Sequence, residues 1–257
     1  MKRIPALLMV GSALLLASCD RTNVPSNLTN VSGTVVEGSL AASSNGTLAL
    51  TTSAWTGGAG SVRAYTGEGS QPQNVVTTAL AADGKFSLNL PTAPAAGTLS
   101  AIAADEFNAE EDNCTGTVTV STSQARGAAL AIGAEGATKS GGITPLSVTS
   151  KVDSAGKVIG YEATLGELLY VDRGLTIKGT QTCTNGSDTF KGDIDVSLQQ
   201  GWNKVSLTLQ LNADGALTGL VVRSGSHPSN WVFLNSGSAS PLGVQSLKAL
   251  EKFSLFR

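Results

Sequence analysis

His227 is the chain's only histidine and stands in Ser224-Gly225-Ser226-His227-Pro228, beside two serines that could serve as nucleophiles. A Ser-His-Asp relay needs hydroxyl and imidazole delivered from separate segments, because neighbours on one strand or loop do not align attack with proton transfer. The chain also contains no Gly-x-Ser-x-Gly elbow. His227 therefore reads as a loop histidine before a proline. One histidine also leaves no zinc or copper site built from several imidazoles. Asp193 and Asp195 are the second pair with chemical potential, since glycosidases work with two carboxylates. Two positions apart on a strand they would stand about 6.5 to 7 Å apart on one face, next to Lys191, which reads as a solvated face.

The stretch 104–114 gathers Asp105, Glu106, Glu110, Glu111 and Asp112. Hard oxygens from one loop suit calcium, so Asp105, Glu110, Glu111 and Asp112 are the calcium candidates. The stretch lacks the alternating Asp-x-Asp-x-Asp-Gly order that aims ligands inward, and a solvated acidic loop is the preferred reading. Trp55, Trp202 and Trp231 are the three tryptophans. Indole faces stack on sugars and lipids, so a surface cluster of them would be a ligand site; Trp202 and Trp231, at strand ends, equally suit core-edge packing.

Cys114 and Cys183 are candidates for a disulfide. Cys114 shares its parity with Val118 and Val120, and Cys183 with Leu175 and Ile177. Side chains alternate across a strand, so both thiols point to the apolar face.

The elements that hold these residues are strands. Charged residues make up 14% and aromatic residues 5% of the 257, and Gly, Ser, Thr, Ala, Val and Leu dominate, as in an extracellular β protein with many turns. Period-two segments recur at 47–52, 61–66, 74–80, 85–90 and 98–103, separated by Gly, Asn, Asp and Pro. Phe86, Leu88 and Leu90 alternate with Ser87 and Asn89, after a turn in which Gly84 supplies positive φ. Further on, Phe190, Ile194, Val196 and Leu198 share one face, and after Gln199-Gln200-Gly201 so do Val205, Leu207, Leu209 and Leu211. This pattern predicts an antiparallel meander with one buried and one wet face. The expected fold is all-β: one or two antiparallel β-sandwich domains, 31–132 and 145–257, joined by a Gly-rich connection at 133–144. Val244, Leu247 and Leu250 suggest a short C-terminal helix.

The first residues give an address. Lys2 and Arg3 precede a short apolar run, Ile4 to Leu16, and the small residues Ala17 and Ser18. This is the pattern of a cleaved signal peptide over 1–18, too short to span a bilayer. Leu16-Ala17-Ser18-Cys19 resembles the lipobox of bacterial lipoproteins. That resemblance implies cleavage before Cys19, acylation of its thiol, and attachment to a membrane of the cell envelope. Asp20 resembles the inner-membrane retention signal of enteric bacteria, a rule that is not universal, so inner and outer membrane both stay open. A polar tether, 19–30, would follow. In such a compartment Cys114 and Cys183 can bridge.

A second resemblance lies at 31–40, 60–69 and 79–91. Val31-Ser32-Gly33-Thr34, Gly60-Ser61-Val62-Arg63 and above all Asp83-Gly84-Lys85-Phe86 resemble carboxypeptidase-regulatory or transthyretin-like β-sandwich modules. The resemblance implies a spacer or binding domain without catalysis.

Removing Lys2 and Arg3 leaves 15 basic against 19 acidic residues, a net charge near −4, so nothing attracts nucleic acid. The expected function is a non-enzymatic, lipid-anchored envelope protein, an accessory or structural subunit of a surface assembly that partners envelope or surface-layer proteins. The alternative is a glycan- or small-ligand-binding lipoprotein that uses the tryptophans.

Overall fold

The computed structural model describes residues 28–42, 47–66, 73–108, 113–185 and 188–234, and most of these lie in β-strands, with no α-helix among them. The signal segment with Cys19, Glu110, Glu111 and Asp112 of the acidic stretch, and the tail around Leu247 lie outside the described residues.

Among the described residues fifteen strands form one mixed sheet. The first five are β1 (Asn30–Ala42), β2 (Leu48–Ala54), β3 (Gly60–Thr66), β4 (Gln73–Leu80) and β5 (Lys85–Asn89). They are followed by β6 (Ser100–Ala101), β7 (Cys114–Val120), β8 (Arg126–Gly136), β9 (Ser140–Val152) and β10 (Val158–Val171). The last five are β11 (Leu175–Asn185), β12 (Asp188–Leu198), β13 (Gly201–Asn212), β14 (Leu217–Ser224) and β15 (Trp231–Leu234).

Alternation sets the faces as the sequence requires. Along β5 the buried residues are Phe86 and Leu88, and Lys85, Ser87 and Asn89 are exposed. The turn before it closes through Gly84 N–H donating to the Ala81 carbonyl and Ala81 N–H to the Lys85 carbonyl, both at 2.9 Å. Gly84 has φ +85°, and a Cβ there would stand 2.5 Å from the Val35 carbonyl oxygen, so only glycine fits.

Two expectations need correction. The Gly-rich stretch 133–144 is not a connection: it is the end of β8, a tight turn and the start of β9, paired as Gly133↔Gly142 and Glu135↔Ser140. Glycine there permits close approach of backbones, since a Cβ on Gly136 would strike the Trp55 ring at 2.7 Å. Nor do β12, β13 and β14 form a simple meander. β14 lies between the other two, antiparallel to β13 and parallel to β12. Alternation dictates which face a residue takes but not which strand lies beside it. Asn203 holds the point where β12 and β13 part, accepting from Gln199 N–H at 2.9 Å and donating to the carbonyls of Gln199 and Gly201.

β15 is the other parallel member. It lies between β1 and β9, with Trp231 opposite Val35 on one side and Pro145 on the other. Strands from both halves of the chain thus share one sheet. Beneath it are two principal cores. One joins Val31, Val35, Val62, Phe86, Leu88 and Ile132 with Trp55, Trp202, Trp231 and Phe233. The other gathers Val171, Leu175, Ile177, Val196, Leu198, Val205 and Val222 from β10 to β14, with Ile102 and Ala125 against them. Each such buried aliphatic side chain contributes about 1.5–3 kcal/mol relative to exposure.

Candidate functional site

Three strands meet and part at one place. β8 pairs with β9 at Gly133↔Gly142 and with β10 at Leu130↔Leu168, while β9 pairs with β10 from Leu146↔Leu165 onward. Between these pairs, Ala131 and Ile132, Ile143 to Pro145, and Gly166 and Glu167 diverge around a cavity of about 280 Å³. Pro145 suits the gap because it has no N–H to leave unpaired. Thr144 Oγ1 donates to the Gly166 carbonyl at 3.3 Å, a bond that a ladder neighbour would otherwise make.

Among the described residues that line the cavity, Glu167 is the one of ionisable type. The residue is half-buried, but its Oε2 atom is closed off from solvent and has no hydrogen-bond partner among the described residues. Burial raises its carboxyl from the ordinary glutamate range to about 7, because the charged form loses hydration and gains no compensating donor. Its backbone carbonyl is better served, accepting from His227 Nε2 at 2.7 Å. A carbonyl can only accept, so the neutral ring carries its proton on Nε2. Burial holds the His227 imidazole below the usual histidine range, partly opposed by the bond to the Glu167 carbonyl. Gly166 allows the ring to lie this close: a Cβ there would sit 2.8 Å from His227 Cγ and 2.8 Å from Pro145 Cβ.

Sequence reasoning missed this site. The signal was present: Glu167 interrupts the apolar run from Leu165 to Val171, and Leu168, Leu169, Tyr170 and Val171 are all buried. A carboxylate in a run of that kind must find a donor, shift its pKa or face a cavity.

The residues singled out by type are placed otherwise. The tryptophans are not a surface cluster; Trp55, Trp202 and Trp231 are 4%, 2% and 6% exposed. Their indole N–H groups are used internally where bonds are defined: Trp55 Nε1 donates to the Gly58 carbonyl and Trp202 Nε1 to the Pro91 carbonyl, each at 2.8 Å. Edge-on aromatic contacts complete the packing, with Trp55 against Phe233, Trp231 against Phe86 and Trp202 against Tyr170, all at 5.4 Å between ring centroids. The surface tryptophan site is therefore overturned, because the large apolar area of each ring is spent on the core. Trp231 also lines the junction cavity.

Asp193 and Asp195 each have their own cation. Arg223 Nη2 meets Asp193 Oδ2 at 2.9 Å and Lys178 Nζ meets Asp195 Oδ1 at 3.1 Å. Ser224 Oγ accepts from Ser197 N–H at 3.2 Å, while His227 is turned to Glu167. Asp105 is exposed in a short 3-10 turn, Ala104–Phe107, and no cluster of three metal-ligating side chains occurs among the described residues. Cys114 and Cys183 are joined by a disulfide.

The chain matches no protein family, no curated protein and no solved structure with which it was compared.

Proposed function

We propose that this chain is a non-enzymatic protein of a bacterial cell envelope, anchored by lipid on Cys19 and serving as an accessory or structural subunit of a surface assembly. The observation that carries the reading is the Cys114–Cys183 bridge, because structural disulfides belong to oxidising compartments outside the cytosol. Ahead of the fold stand Leu16-Ala17-Ser18 and Cys19, whose acylation would hold the protein on a membrane with no spanning helix. No helix among the described residues is long and apolar enough to cross a bilayer.

A structural role is also supported by how the reactive side chains are used. Asp193, Asp195, Ser224 and His227 each satisfy another group of the fold and do not converge on a common point. The broad polar face built by β7, β11 and β12 places Thr115 opposite Thr182, Thr117 opposite Thr180 and Lys178 opposite Asp195. Such a face offers hydroxyls and balanced charge to a protein neighbour.

The test of the anchor is the mass of the mature N-terminus in protein recovered from native membranes. A chain beginning at Cys19 and carrying diacylglycerol is expected, and Cys19→Ala should release the protein from the membrane fraction. An unmodified Cys19, or a membrane-bound Cys19→Ala protein, contradicts the reading.

A further inference from the structure

We propose that the tip of the β9–β10 hairpin, Val152 with Ile159, is the point at which this chain docks on a neighbouring protein whose surface offers an apolar recess edged by a carboxylate. This docking point rests on the reading of the chain as an assembly subunit, and names where that subunit meets its neighbour.

Val152 and Ile159 are the large aliphatic side chains left in solvent among the described residues, at 50% and 54% exposure. They belong to one place, because Val152 pairs with Val158, the chain neighbour of Ile159. Ile159 is the extra residue of a bulge between Val158 and Gly160, and a bulge re-aims a side chain. Every residue from Lys151 to Lys157 is exposed, so the hairpin ends in solvent. One exposed aliphatic residue is ordinary surface, whereas two at a single tip form a compact patch that gains by leaving water. The turn that carries them is held firmly. Asp153 Oδ1 accepts from the N–H groups of Ala155 and Lys157, both at 2.9 Å, and Asp153 N–H donates to the Lys157 carbonyl at 2.9 Å. A tip already fixed by its own bonds loses little freedom on docking.

Position and charge favour a protein as the occupant. The chain enters the fold at the other end of β10: Thr29 accepts from Leu90 N–H at 2.9 Å, the Pro91 carbonyl accepts from Trp202 Nε1 at 2.8 Å, and Trp202 stands opposite Tyr170. The tip and this entry point are thus separated by most of a 14-residue strand, roughly 40 Å when extended. From Cys19 to Thr29 the chain reaches at most about 35 Å. A fold standing on that tether presents the tip on the side away from the anchoring bilayer, where a protein neighbour meets it. Lys157 is exposed beside the patch and is in no ion pair among the described residues, whereas Lys151 is committed to Glu162 at 2.6 Å. Asp153 spends one carboxylate oxygen on its own turn. An apolar recess removes Val152 and Ile159 from water, and a carboxylate at its edge answers Lys157.

The probe is p-benzoylphenylalanine, placed at Ser154 in the full-length chain in its native envelope so that Val152 and Ile159 stay intact, and at exposed Ala82 in the β4–β5 turn as the control. Illumination should link position 154 to one protein, at a segment that peptide mapping shows to be apolar with an adjacent Asp or Glu, and should give no such link from position 82. Val152→Ser with Ile159→Ser should lower the share of the chain found in a large detergent-extracted particle at least tenfold, and Lys157→Glu should lower it several-fold, with membrane attachment unchanged. Thermal melts establish that the variants fold. A link from position 154 to lipid, or no link while the native particle is intact, overturns the docking point. So does a folded double-serine variant that keeps its full share of the particle, and that result leaves the subunit reading standing. A native chain recovered as a lone monomer overturns the subunit reading itself, and the docking point with it.

Discussion

Cys114 and Cys183 stand directly opposite each other in the ladder between β7 and β11, with Cα atoms 4.0 Å apart. β7 ends that side of the sheet and has β11 as its ladder partner, so the bridge secures an edge strand. The bond closes a separation of 69 residues, worth about 4 kcal/mol in the chain-entropy account. Paired Cys114→Ser and Cys183→Ser replacement should lower stability by about 2–4 kcal/mol in urea titration. Amide exchange should show the loss first in β7. Unchanged protection of β7 in the variant would mean the ladder alone holds it.

Glu167 makes stability fall as pH rises. Its folded pKa, about 7, lies above the ordinary value of 4.5, so between these the folded state binds more protons than the unfolded. The cost of burying the carboxyl is absent below about pH 4.5 and complete above about 7. Glu167→Gln keeps the shape without the charge. It should match the native chain at pH 4 and exceed it at pH 8 by up to about 3 kcal/mol. Parallel urea titrations at the two values give the answer, and identical pH curves for the two proteins would contradict the burial of this carboxyl.

Glu37 acts in the opposite sense. Lys139 Nζ meets its Oε2 at 2.6 Å, and Thr56 donates through both N–H and Oγ1 to its Oε1. These donors, Lys139 foremost, hold the carboxyl down at about 2. The resulting stabilisation is present above the ordinary value of 4.5 and is lost as pH falls toward 2. The two side chains are 23% and 30% exposed, so solvent screening reduces the effect to about 1 kcal/mol. Glu37→Gln should lower stability at pH 7 by that amount and flatten the acid limb of the curve. An unaltered acid limb would place the titration elsewhere.

Gly33 leaves no room for a side chain beside Trp231. A Cβ there would stand 2.3 Å from Trp231 Cδ1, and the indole is itself held edge-on by Phe86. Gly33→Ala should destabilise by about 1–3 kcal/mol through overpacking. Trp231→Ala, which empties the same space, should cost about 3–5 kcal/mol. The pair of melts tests whether this tryptophan is a core residue; native stability of Trp231→Ala would return it to the surface.

Faces were legible in the sequence and neighbours were not. The alternation of Phe86 and Leu88 with Ser87 and Asn89 reads directly as inside and outside, and that of Val205, Leu207 and Leu209 with Ser206 and Thr208 as two faces, of which the second is not wet because Ser206 is itself buried. The shared parity of Cys114 and Cys183 allowed a bridge between strands, and the two are bonded across the β7–β11 ladder, half-buried. The same parity says nothing of order, which is why β14 between β12 and β13, and β15 beside β1, went unread. Glycines at 133, 136, 141 and 142 look like a flexible connection because composition does not distinguish a mobile backbone from a paired one, in which Gly136 and Gly141 must approach the Trp55 and Phe233 rings closely. The cavity was hidden for a related reason. It arises from three ladders diverging, and a gap between strands has no local signature beyond one out-of-place residue, Glu167.

A membrane-held subunit of something larger is the proposed role of this chain. Extraction of the native envelope in mild detergent, followed by measurement of particle mass and identification of what migrates with the protein, tests it most directly. The expected particle is well above the 26.0 kDa of the single chain and carries the same partners in repeated preparations. Recovery as a lone monomer under conditions that keep other envelope complexes intact would contradict it.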